Sequence, residues 1–121
     1  ADGDWSSDVC SSDLPYGTER SFNGLRMAHA LAKNDPEADI TVFLMADAVL
    51  CAKAGQTTPD GYYNLERMLR RVLSAKGRVL MCGTCMDARG LTEIDMMEGP
   101  TRSTMDELAQ GTLAADKVLV F

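Results

Sequence analysis

The chain has 121 residues, a formal net charge of -6, 45% hydrophobic and 25% charged residues. That length and composition fit one ordinary globular domain and argue against wholesale disorder. The acidic balance counts against nucleic acid or a membrane surface as main partner, because both are gripped by Lys/Arg patches. No apolar run approaches the roughly 20 residues of a membrane span. The four cysteines, Cys10, Cys51, Cys82 and Cys85, are too few and too unevenly placed for a disulfide scaffold. The opening residues carry neither the basic nor the apolar region of a secretory signal. A cytoplasmic location is the expectation.

Residues 1–14 differ from the rest of the chain. Ser and Asp dominate, Ser-Asp recurs at Ser7-Asp8 and Ser12-Asp13, and neither helical nor strand periodicity appears. This segment reads as a non-native or disordered leader, or a sequence-assembly artefact, ahead of a domain spanning 15–121. Trp5 and Cys10 receive no chemical role.

From Pro15 onward helix and strand patterns alternate. Thr18 or Ser21 can cap a helix running to about Lys33, with Phe22, Leu25, Ala28 and Ala32 on its apolar stripe. Asn34-Asp35-Pro36 stops it. The run from Ile40 to Met45 reads as a strand buried on both faces. Asp47 to Lys53 suggests a short helix, and Thr57 to Gly61 is turn chemistry. Leu65, Met68, Leu69, Val72 and Leu73 define the clearest helix, closed by Gly77. Arg78 to Cys82 is a second buried-type strand. Residues 91–102 are ambiguous. Ser103 to Asp106 resembles a capping box ahead of a helix carrying Met105, Leu108, Ala109 and Leu113. Lys117 to Phe121 is the last strand. Together these predict a three-layer α/β fold, a parallel sheet with helices on both faces. Such a domain normally opens on a strand. Val9 to Leu14 holds only three apolar residues, so the expected first strand is read as missing or replaced.

Ligands of open α/β sheets bind beyond the carboxyl ends of the strands. Three stretches fall there: Pro15 to Glu19, Ala46-Asp47, and Cys82 to Gly90. A strand-ending cysteine beside free amides has its thiol acidity raised, and Arg89 could add positive charge. On this reading Cys82 is ionised and reachable at the rim of the sheet. Cys82-Gly-Thr-Cys85 has the C-x-x-C spacing, which alone fits a redox dithiol, half a zinc site, or two inert cysteines. Zinc needs four ligands, no second C-x-x-C exists, and His29 falls in the first helix. No metal or cofactor is therefore implied. Cys51 reads as core, His29 as a boundary packing residue, and Arg67, Arg70 and Arg71 as a solvated or subunit-contact face. Tyr62-Tyr63 reads as packing at a helix start.

Four segments carry a resemblance: Pro15 to Arg26, Phe43 to Val49, Cys82 to Gly90, and Ala115 to Phe121. Together they look like the DsrE/DsrF-like family, and within it the YchN-like branch, over essentially all of 15–121. The resemblance implies a parallel-sheet α/β fold, Rossmann-like in its layering, and homo- or hetero-oligomers, typically trimers paired into hexamers; a homo-oligomer, trimer or hexamer, is the expectation here. Some members of that family relay persulfide sulfur. Counting back from Arg89-Gly90 places the relay cysteine at Cys82, with Cys85 an extra cysteine close enough to resolve it. Tyr16, Gly17, Glu19, Asp47 and Arg89 then shape the pocket. The expectation is a sulfurtransferase-like persulfide carrier, served by donor and acceptor proteins. The alternative is a non-catalytic oligomeric module that binds a small anion or a partner.

Overall fold

The computed structural model describes residues 6–59 and 63–121. Its elements in chain order are β1 (Ser6–Ser11), α1 (Arg20–Asn34), β2 (Asp39–Leu44), a 3-10 helix (Ala46–Ala52), α2 (Leu65–Ser74), β3 (Arg78–Cys82), α3 (Gly83–Ala88), a second 3-10 turn (Glu93–Asp95), β4 (Thr101–Ser103), α4 (Met105–Ala114) and β5 (Lys117–Val120). Five strands form one all-parallel sheet in the order β4-β3-β2-β1-β5. The α/β reading from helix–strand alternation holds.

The first strand is not missing. Ser6–Ser11 is β1, and it runs between β2 and β5, with Cys10 opposite Phe43 on one side and Val120 on the other. A Ser/Asp-rich segment can hold this place because ladder hydrogen bonds use the backbone, whatever the side chain. Strand propensity is weak against such a context. The polarity leaves a trace: Ser7, Asp8 and Ser11 are all buried. Ser11 Oγ pairs with Ser21 Oγ at 2.7 Å, whereas Ser7 Oγ has no partner. Residues 1–5, including Trp5, and residues 60–62, with Tyr62 and part of the expected turn, lie outside the described residues.

Alternation along the strands sorts the two faces. Val9, Val42, Leu44, Val79 and Met81 are buried together with Leu25 and Ala28 of α1, Leu65, Leu69 and Val72 of α2, and Cys51 of the 3-10 helix. On the other face α4 approaches β1 so closely that a Cβ on Gly111 would lie 3.2 Å from Asp8 Oδ2. No residue of α4 is fully buried. A cavity of about 370 Å³ lies between this helix and Asp8, Thr41, Arg78 and Leu80.

Helix ends correct three details. α1 begins at Arg20, behind Glu19 in the left-handed region at φ 66°. Neither Thr18 nor Ser21 caps it: Thr18 Oγ1 donates to Asp13 Oδ2, and Ser21 Oγ is engaged with Ser11. α2 ends at Ser74, and Gly77 is the tight residue beyond it. Its N–H donates to Val72 O at 2.9 Å, and a Cβ there would meet Val72 Cγ1 at 2.7 Å. α4 is capped by Thr104, which accepts from Glu107 N–H at 3.2 Å, one residue later than the capping box expected. His29 is a packing residue, its Nε2 2.8 Å from Met68 O. Among the described residues no helix is long and apolar enough to cross a membrane.

Candidate functional site

The carboxyl end of β3 runs without a connecting loop into α3, and the first residues of that turn are Gly83, Thr84 and Cys85. Cys82 sits at the joint. Its Sγ accepts the Cys85 N–H at 3.4 Å and lies 3.8 Å from Thr84 Oγ1. Burial pushes the Cys82 thiol up. Hydrogen bonds from the Cys85 thiol, the Cys85 amide and Thr84 outweigh burial and bring it below its ordinary value. Stabilising a thiolate with donors rather than solvent is what makes a cysteine nucleophilic at neutral pH.

Cys85 lies one turn on and is the outer thiol of the pair: Cys82 is 3% exposed, while Cys85 is half-buried. Cys82 is thus less open than a rim position would make it. Cys85 Sγ accepts the Ala46 N–H at 3.1 Å, across from the end of β2. Ala46 holds φ 52°, a left-handed conformation costly for a residue with a β-carbon. Burial raises the Cys85 thiol, and hydrogen bonding to Cys82 and its charge raise it further; the Ala46 amide and Arg89 act the other way.

Two arginines flank the pair. Arg89 donates from Nε and Nη2 to Asp47 Oδ1 at 3.0 and 2.8 Å and from Nη1 to Cys85 O at 3.0 Å. Asp47, Arg89 and Cys85 thereby tie the end of β2 to α3. Arg102, in β4, forms a two-pronged pair with Asp87 at 2.9 and 2.8 Å. Its guanidinium lies where a Cβ on Gly83 would be, 2.6 Å from Nε. Only a residue without a β-carbon lets it rest there, and its own basicity is raised by Asp87 first and, further down, by Cys82.

The structure brings together Cys82, Cys85, Asp47 and Arg89. Tyr16, Gly17 and Glu19 instead line a cavity of about 480 Å³ with Phe22, Pro59 and Tyr63, in which neither cysteine takes part. Tyr16 Oη donates to Gln56 Oε1 and accepts the Leu65 N–H at 3.2 Å, so it anchors the loop to the start of α2. Tyr63 packs against Phe22, ring centroids 4.3 Å apart. Sequence reasoning missed Arg102, and it placed Ala46 and Thr84 at strand ends without assigning either to a thiol. Arg102 lay in the ambiguous stretch, and a backbone donor leaves no residue-type signal. Cys51 is fully buried and its thiol is pushed up to about 12 by burial. Burial likewise raises Cys10. Among the described residues no three His, Cys, Asp or Glu side chains are placed to hold a metal ion.

A model of the DsrE/DsrF-like family matches residues 9–121, starting inside β1. The Escherichia coli K12 protein YchN is 41% identical over 113 residues, 93% of this chain and 96% of that one. An uncharacterized protein from Methanopyrus kandleri is 36% identical over 114 residues, 93% of this chain and 91% of that one. The crystal structure of the E. coli ychN protein superposes with a TM-score of 0.91 at 39% identity, covering 97% of this chain and 99% of that one.

Proposed function

The chain belongs to the DsrE/DsrF-like family, and from that premise we propose that it is a sulfur-relay protein. Cys82 takes a sulfane sulfur from a donor, holds it as a persulfide and passes it to a partner protein. The Cys82 thiolate attacks the outer sulfur of the donor. A bond forms from Sγ to that sulfur, the donor's own S–S bond breaks, and the donor leaves as a thiolate or sulfite anion. The observation that carries this reading is the setting of the Cys82 sulfur: it sits at the end of β3, accepts the Cys85 N–H at 3.4 Å and lies 3.8 Å from Thr84 Oγ1, partners that draw the thiol below its ordinary value although burial opposes it.

Cytoplasmic work in a homo-oligomer, trimer or hexamer, is part of the proposal. What supports the oligomer is exposed apolar side chains on α4 and β5: Leu113 is 88% and Val120 74% exposed. A second copy of the chain would bury such side chains. The test is direct: load the protein with inorganic tetrasulfide, remove excess donor by rapid gel filtration, and weigh the cysteine peptides. The expected result is one added sulfur on Cys82, absent in Cys82→Ser. No added sulfur at residue 82 and no Cys82–Cys85 cross-link, in the parent or in Cys85→Ser, would overturn the reading.

One observation favours the non-catalytic alternative. The 480 Å³ cavity of Tyr16, Glu19 and Phe22 contains no thiol. If that cavity is the working site, a small ligand raises the melting temperature equally in the parent and in Cys82→Ser.

A further inference from the structure

Relay to a partner needs only Cys82, yet the second thiol, Cys85, is built into the same site. We propose, resting on that reading, that Cys85 resolves the Cys82 persulfide within the chain, releasing hydrosulfide and leaving a Cys82–Cys85 disulfide. The chain then reduces sulfane sulfur as well as carrying it.

Three features converge here. First, residues 82 and 85 bracket the first turn of α3, with the Cys85 N–H on Cys82 Sγ at 3.4 Å. Residues three apart on a helical turn have β-carbons about 5–6 Å apart, and disulfides need about 3.5–4.5 Å, so a small adjustment at the end of the helix closes the bridge. Second, Cys85 has its own stabilising partners at the moment it must be an anion. The Ala46 N–H donates to it at 3.1 Å, and Arg89 lies on the same turn, donating to its carbonyl at 3.0 Å. Third, the other thiols are closed off by the fold. Cys51 is 0% exposed inside the core, and Cys10 is enclosed in β1.

The step balances without an outside oxidant. Cys85 Sγ attacks Cys82 Sγ, the inner sulfur of the persulfide. The Sγ–Sγ bond forms as the bond from Cys82 Sγ to the outer sulfur breaks, and the electron pair of that bond leaves with the outer sulfur. The Cys85 proton goes to the departing sulfide, giving HS⁻. The zero-valent sulfur gains two electrons, and the two cysteines, now a disulfide, have lost two. Return to the starting state requires a dithiol protein to reduce the bridge by exchange. A docked acceptor competes by attacking the outer sulfur, so relay and release are alternative fates of one intermediate.

The experiment loads parent, Cys85→Ser and Cys85→Ala proteins anaerobically with inorganic tetrasulfide. Excess donor is removed by gel filtration, and peptide mass and free sulfide are then followed together. In the parent, the added sulfur on Cys82 decays to a Cys82–Cys85 cross-link, with one sulfide released per persulfide lost. In both variants the added sulfur persists at least about tenfold longer and sulfide stays at background. A persulfide in the parent that lasts as long as in the variants, without cross-link or sulfide, overturns internal resolution and leaves the relay reading standing. No sulfur on Cys82 and no cross-link in any of the three proteins overturns both.

Discussion

Two buried serines of β1 differ in their hydrogen bonding, and that difference sets opposite signs on the same substitution. Ser7 Oγ is buried without a hydrogen-bond partner. Ser11 Oγ is buried and bonded to Ser21 Oγ at 2.7 Å. An unpaired buried hydroxyl costs about 1–3 kcal/mol. Removing it as Ser7→Ala leaves a void of about 10–15 Å³, which at about 24 cal/mol per Å³ returns roughly 0.3 kcal/mol of that gain. Ser7→Ala is therefore expected to stabilise by about 1 kcal/mol. Ser11→Ala removes a satisfied bond, although Ser21 retains its contact with Asp13 O at 3.2 Å. Its expected effect is destabilisation by about 1 kcal/mol. Urea unfolding of parent and both variants reads the sign directly. With a slope of about 1–3 kcal/mol per molar, the two variant midpoints separate by roughly 1 M around the parent. If both midpoints move the same way by similar amounts, the hydrogen-bond reasoning for β1 fails.

Two further outcomes concern the titrating groups. In Cys85→Ser, whose hydroxyl can still donate, the rate of iodoacetamide reaction at Cys82 is expected to rise with pH around an inflection below the ordinary thiol value of 9.0. Cys51 stays unlabelled until urea is added; an inflection for Cys82 at or above that value would refute the acidity argument. Burial lowers His29 below its usual 6.5. The unfolded chain then binds more protons than the native one as pH falls through 6.5, so stability is lost on acidification. The difference in unfolding free energy between the parent and His29→Gln should shrink from pH 7.5 to 5.5, and a flat difference would count against it.

The two faces of the sheet and the thiol pair were legible in the sequence for a shared reason: they are written in side chains. Leu65, Leu69 and Val72 repeat at helical spacing and are buried as that spacing requires. Cys82 and Cys85 stand at a fixed interval after an apolar run. β1 was not legible, because its place between β2 and β5 is secured by backbone ladders that Ser and Asp make as well as Val does. The depth of Cys82 was hidden too. Spacing puts a residue at a strand end but says nothing of what closes over it. Arg102 reaches the site from β4, a strand three residues long, too short to show periodicity.

Position 83 governs more than its missing side chain suggests. An alanine there would displace the far end of Arg102, a flexible group that can swing away at little expense to folding. The bracket with Asp87 would open, and the positive neighbour of the sulfur pair would drift into solvent. The dithiol spacing itself would be unchanged. Two chains that share Cys-x-x-Cys letter for letter can thus differ in sulfur chemistry through the single x that decides whether a cation has room to lie down.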